Sequence, residues 1–291
     1  MLDGLNHRFA LDDRLVFTLH PSGLVQGVVH TALCRGLFFL HGAHVAEFCP
    51  HEKEPVLFMS GSSVFEAGKP IRGGVPLCFP WFGPRAGDST APAHGLVRTQ
   101  NWELQSTAAD AAGVIQVVLG LEVDQWQLRY TVRFGTELDL TLMIENLADQ
   151  PRECDVALHT YFALADAEHA SVHGLEHHPH LDKLTGEQAE PSGGPIRFTQ
   201  ETDRIYWGPA EEVVVHDPGH HRDIYLNPRN SHSTVVWNPW VDKSQRMPDF
   251  GDHEFKRMCC VETANVGEQR LNLSRNSAVQ MGVAIGQRDH L

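Results

Sequence analysis

Apolar and polar positions along this chain repeat with a period of two far more often than with a helical period. The clearest stretch is Glu137–Glu145, where Leu138, Leu140, Leu142 and Ile144 alternate with Asp139, Thr141 and Met143. That is the pattern of a strand with one buried face. Similar short runs recur at Leu15–Leu19, Gly36–Leu40, His44–Phe48, Val56–Met59, Val114–Glu122, Gln127–Phe134, Glu153–Leu158, Ser171–Gly174, Glu212–Val215, Asp223–Leu226, Ser233–Trp237, Phe255–Glu262 and Ala278–Ile285. Gly, Pro, Asn and Asp punctuate them. Many short strands with frequent turns predict an all-β chain, a sandwich or a barrel. The polar stretch Lys183–Pro195 is too short for a linker and reads as a loop, so residues 1–291 are expected to form one domain.

Composition narrows the function classes. The chain has 291 residues, enough to bury a core without staples, and its net charge is −14. Such a surface repels nucleic acid and anionic membranes, and an anionic substrate needs a local basic pocket. No apolar run approaches the roughly 20 residues that span a bilayer. The start, MLDGLNHRFA, lacks a basic segment followed by an apolar one. The six cysteines form no CxxC pair, which fits a reducing compartment. The expectation is a cytoplasmic monomer.

Four segments carry candidate chemistry. PIRGGVPLCFPWFGPR pairs glycines with stiffening prolines and sets Arg72 and Arg85 near its ends. Arginines in that setting suit phosphate or carboxylate, although on residue types alone a rigid, solvated loop is the commoner outcome. AHGLVR adds His94 and Arg98. In LHTYF, His159 follows a strand among apolar and aromatic neighbours; it is suited to proton transfer, though a single histidine is more often structural. In MCCVETAN, Glu262 closes an apolar run, as a paired or working carboxylate or as a solvated strand end. Trp237, Trp240 and Trp207 could stack on sugar rings or fill core. His177-His178-Pro179-His180 and His220-His221 lack metal-motif spacing and read as exposed loops, so no metal and no cofactor are expected. No nucleophile elbow and no GxxxxGK[ST] phosphate loop is present.

In their order, PIRGGVPLCFPWFGPR, AHGLVR, LHTYF, TDRIYW, WNPW and DFGDHEFKRMCCVETANV resemble the D-hexose-6-phosphate mutarotases, also called glucose-6-phosphate 1-epimerases, within the galactose-mutarotase-like group. The motifs run from about residue 60 to residue 285. The resemblance implies a large antiparallel β-sandwich with a sugar phosphate bound on a concave sheet face. It implies His159 as general acid and Glu262 as general base, with Arg72 and Arg98 on the phosphate side. It further implies contacts from His94 and Asp203 to sugar hydroxyls, a less secure basic role for Arg85, and a place for Trp240 either on the ring or behind it. Two other functions share this framework: a mutarotase for unphosphorylated aldoses, and a non-catalytic carbohydrate-binding protein.

Overall fold

The computed structural model describes residues 2–290. It is an antiparallel β-sandwich. A nine-stranded sheet runs in the order Ile196–Arg197, Ser171–His173, Val213–Asp217, Arg222–Arg229, Ala278–Asp289, Leu138–Asn146, Trp126–Phe134, Ile115–Val123, Glu103–Ala109. Leu138–Asn146 and its neighbour Trp126–Phe134 alternate buried and partly exposed residues, as their period-two patterns require. The inward set includes Tyr130, Val132, Leu140 and Leu142 and packs against Leu77, Leu158, Val236 and Val261 of an eight-stranded sheet. Phe17 and Phe38 of a four-stranded sheet, Leu15–Leu19 to His44–Pro50, close the same core.

The eight-stranded sheet positions the chemistry. Its order is Glu187–Ala189, His180–Asp182, Thr202–Trp207, Ser233–Asn238, Met258–Asn265, Val156–Leu158, Leu77–Cys78, with Tyr161–Ala163 also on Met258–Asn265. Every residue of Met258–Asn265 is buried. Cys259 and Val261 on one face meet the core, and on the other Met258 and Cys260 cluster with Phe58, Phe250 and Phe255. A strand covered on both faces reads as a continuous apolar run rather than an alternating one. The single carboxylate within it is therefore buried as well.

Several expected boundaries shift. Val56–Met59 makes only isolated bridges, and Phe255 belongs to the 3-10 turn Glu254–Arg257 before the strand begins at Met258. The strands Val25–His30, Glu103–Ala109 and Thr202–Trp207 and the helices Leu2–Phe9 and Trp240–Arg246 lie where no element was expected. The histidine stretch 177–180 is not wholly an exposed loop: His180 opens a strand, is buried, and stacks on Tyr206 at 4.8 Å.

Candidate active site

Register brings His159 to Glu262. On either side, Leu158 pairs with Thr263 and Tyr161 pairs with Cys260, so His159 sits across from Glu262 where the ladder is interrupted. The imidazole Nε2 lies 3.4 Å from Glu262 Oε1, with the two residues 7% and 1% exposed. His159 Nδ1 and Glu262 Oε2 have no partner among the described residues. Buried polar atoms are almost always paired, so two free ones in a single constellation mark a place for a ligand's polar groups. The imidazole is held flat against Tyr161, ring centroids 4.9 Å apart and planes 10° apart, while Trp237 meets its edge.

Burial is the main influence on the charge of both partners. It drives Glu262 well above the usual carboxylate range, opposed by Lys183 and Arg98 and aided by Asp203. Burial, reinforced by His94, Arg72 and Arg98, drives His159 well below the ordinary imidazole value. Burial therefore disfavours the charged form of both partners.

A cavity of about 390 Å³ opens over this pair. Arg72, His94, Arg98, Lys183, Asp203 and Lys243 supply its polar lining, and Phe82 and Trp237 its aromatic one. Three of the four cations already have acids. Arg72 donates to both oxygens of Asp249, at 3.0 Å for the shortest bond, and to the Tyr161 hydroxyl at 2.9 Å. Burial works against its charge, but Tyr161 and Asp249 outweigh burial and hold the guanidinium above its ordinary pKa. Lys183 sits 3.1 Å from Asp203, and Lys243 sits 3.2 Å from Glu201. Arg98 differs. It donates to the Ala93 carbonyl at 2.8 Å and has no carboxylate partner among the described residues, and burial, with Arg72 adding to it, disfavours its charge.

The loop bearing His94 depends on a glycine. His94 and Gly95 both have left-handed backbone, at φ 64° and 82°, and a Cβ on Gly95 would stand 1.9 Å from the Phe79 carbonyl oxygen. His94 Nδ1 lies 3.4 Å from Cys78 Sγ. Burial and the nearby cations, Arg98 foremost, push His94 down to about 3, so this imidazole is neutral.

Among known sequences, the aldose 1-epimerase family profile matches residues 29–281. The chain belongs to the aldose 1-epimerase family. It is an isomerase of the galactose-mutarotase-like fold. A relative from Escherichia coli K12, called a "putative glucose-6-phosphate 1-epimerase", is 33% identical over 90% of each chain. One of the same name from Cenchrus ciliaris is 31% identical over 93% of this chain and 90% of its own. A crystal structure of a "putative mutarotase" from Salmonella typhimurium superimposes with a TM-score of 0.89 at 26% identity, covering 97% and 96% of the two chains.

Of the residues expected from sequence, His159, Glu262, Arg72, Arg98, His94 and Asp203 converge on the one cavity. Two others lie elsewhere. Arg85 stacks over Trp81 at 4.6 Å, faces Asp88 and lines a neighbouring depression. Cation–π contact with the adjacent Trp81 orients the guanidinium away from the cavity over His159 and Glu262. Trp240 turns its ring onto Phe255 at 5.2 Å, behind the site, and Trp237 is the tryptophan that reaches the cavity. Sequence reasoning did not single out Lys183, Lys243, Phe82 or Asp249. The lysines stand alone in polar segments and carry no local signal. Asp249 lies within DFGDHEFKR, where its pairing with Arg72 is a contact 177 residues apart in sequence.

Proposed function

We propose that this epimerase interconverts the α and β anomers of a hexose 6-phosphate by acid–base ring opening and closure at His159 and Glu262. The observation that carries the proposal is a buried, ligand-poor His–Glu pair under a sugar-sized cavity that also holds one uncompensated arginine. The relatives named for glucose-6-phosphate support the same substrate class.

With a proton on His159, Glu262 takes the proton of the anomeric hydroxyl and His159 gives one to the ring oxygen. The C1–ring-oxygen bond breaks and an aldehyde forms. Rotation about C1–C2 exposes the other face, and the transfers run in reverse on closure. Each side chain serves in turn as acid and base. Phosphate keeps its charge throughout, so Arg98 and its neighbours hold the sugar in register rather than stabilise the transition state. Trp237 and Phe82 offer apolar faces to the ring, and Asp203 and His94 offer acceptors to its hydroxyls. The reaction as written uses no metal and no cofactor.

The proposal extends to a single domain over 1–291, supported by a core cluster that runs from Phe9 to Ile285, to a monomer, and to the cytoplasm, where six unpaired buried cysteines persist. Exchange NMR on several hexose 6-phosphates and the matching free hexoses tests the reading. Exchange well above the buffer rate for the phosphorylated sugars supports it. Faster exchange of free hexoses moves the enzyme to the unphosphorylated class, and no acceleration of any sugar makes it a binding protein.

A further inference from the structure

On the solvent face of the nine-stranded sheet, far in topology from the cavity, three side chains converge on one point. His216 and Asp223 are direct cross-strand partners, and Asp223 is in turn opposite Arg288. His290 donates its backbone N–H to the His221 carbonyl at 2.9 Å, extending the ladder so that its side chain shares that face. The opposite faces of these strands hold Val213, Val215, Ile224 and Ile285 in the core, which separates the cluster from the His159–Glu262 cavity.

We propose that His216, Asp223 and His290 bind a divalent transition-metal ion. Asp223 Oδ1 lies 2.8 Å from His216 Nδ1 and 3.7 Å from His290 Nδ1, and the ligand atoms all fall within 4.8 Å of one another. Tetrahedral zinc with bonds of about 2.0–2.1 Å needs ligand atoms about 3.3 Å apart. The two separations to Asp223 bracket that value, and an ion would replace the His216–Asp223 hydrogen bond and draw the two imidazoles together from within 4.8 Å. His173 lines the same cavity of about 300 Å³ but is held away, its Nε2 on the Ser171 hydroxyl at 2.9 Å and its Nδ1 facing Glu176 at 3.5 Å. Imidazole and carboxylate donors fit zinc, copper, nickel or cobalt, and not magnesium or calcium, which take oxygen. A net charge of −14 draws cations to this surface.

Among the described residues, Arg288 is the one competing cation. Its Nε stands 3.9 Å from Asp223 Oδ2, but Glu212 holds the guanidinium at 3.0 Å, which leaves Oδ1 to face the two imidazoles. His177, His178, His220 and His221, the histidine runs conspicuous in sequence, take no part. His178 bonds the Trp207 carbonyl and His220 bonds Asp217. The cluster is assembled across strands, from residues 7 and 67 positions apart, and no local spacing announces it.

The test is zinc titration of the chelator-stripped full chain by calorimetry, with cobalt absorption as a second probe. The expected result is one ion bound per chain, a higher Tm with zinc, and binding weakened at least about tenfold in His216→Ala and Asp223→Asn, the loss that even an outer-shell change can produce. Anomer exchange stays at the wild-type rate in these variants. His290→Ala, at the exposed end of the ladder, serves if either of the others does not fold. The proposal is overturned if the stripped wild type binds no stoichiometric zinc. It is equally overturned if the His216→Ala/His290→Ala double variant binds as the wild type does. Neither result touches the assignment of the cavity.

Discussion

Replacing Arg98 with alanine separates two arginines that sequence treats as equals. Arg72 has its guanidinium committed to Asp249 and Tyr161, whereas Arg98 is partly buried with a single carbonyl as partner among the described residues. A bound phosphate would give Arg98 its only anionic partner. A hydrogen bond to a charged group contributes about 1.5–3 kcal/mol, or roughly 10- to 150-fold in affinity. Arg98→Ala should therefore weaken binding of a hexose 6-phosphate by that factor and leave a free hexose nearly unaffected. Arg72→Ala should act on stability as well. It strands Asp249, whose side chain is 16% exposed, and breaking a well-buried pair costs about 3–5 kcal/mol, with this half-shielded one below that range. The assay is an NMR titration of each variant with phosphorylated and free sugar, alongside urea denaturation. Equal losses for the two sugars in Arg98→Ala would refute the assignment of Arg98 to phosphate. A smaller phosphate effect in Arg98→Ala than in a folded Arg72→Ala would refute the distinction between them.

Two further outcomes follow from backbone and burial. Gly95→Ala should lower stability by at least about 2–3 kcal/mol, since it joins the roughly 1–2 kcal/mol left-handed penalty to a Cβ placed 1.9 Å from Phe79 oxygen. Gly113→Ala, at φ 87° with no atom within 4 Å, should carry the backbone penalty alone, so similar Tm values for the two variants would contradict the close approach. His44 is buried with Nε2 unpartnered, and burial, with His41 and Arg98 adding to it, holds it down at about 3. The unfolded chain takes up its proton near pH 6.5 and the folded chain does not, so stability present above that pH is lost as pH falls through it. His44→Gln should flatten the decline between about pH 6 and pH 5 by about 1.4 kcal/mol per pH unit, read from urea midpoints, and an unchanged slope would show that His44 protonates in the folded state.

What was legible in the chain depended on how each segment is solvated. Leu138–Asn146 declares itself because one face meets the core and the other meets water. Val25–His30 hides because Gly27 interrupts its pattern, and the glycine is there because the Phe38 ring lies 2.3 Å from where a Cβ would be. Glu103–Ala109 hides because it is a mostly exposed edge strand. His159, Glu262, Arg72 and Arg98, taken from separate motifs, line one cavity, whereas Arg85 lies against Trp81 beside a neighbouring depression. The acids that neutralise Arg72, Lys183 and Lys243 were not legible, because each comes from a separate segment and pairs only after folding. They decide which cation is left for substrate.

The central claim is that Glu262 and His159 move protons at the anomeric centre. Its most direct test is anomer exchange of glucose 6-phosphate by Glu262→Gln, with binding measured on the same sample. Positioned acid–base catalysis contributes about 10²–10⁴-fold, so exchange should fall by that factor while the sugar phosphate binds as in the wild type. Exchange near the wild-type rate with binding intact would contradict the account.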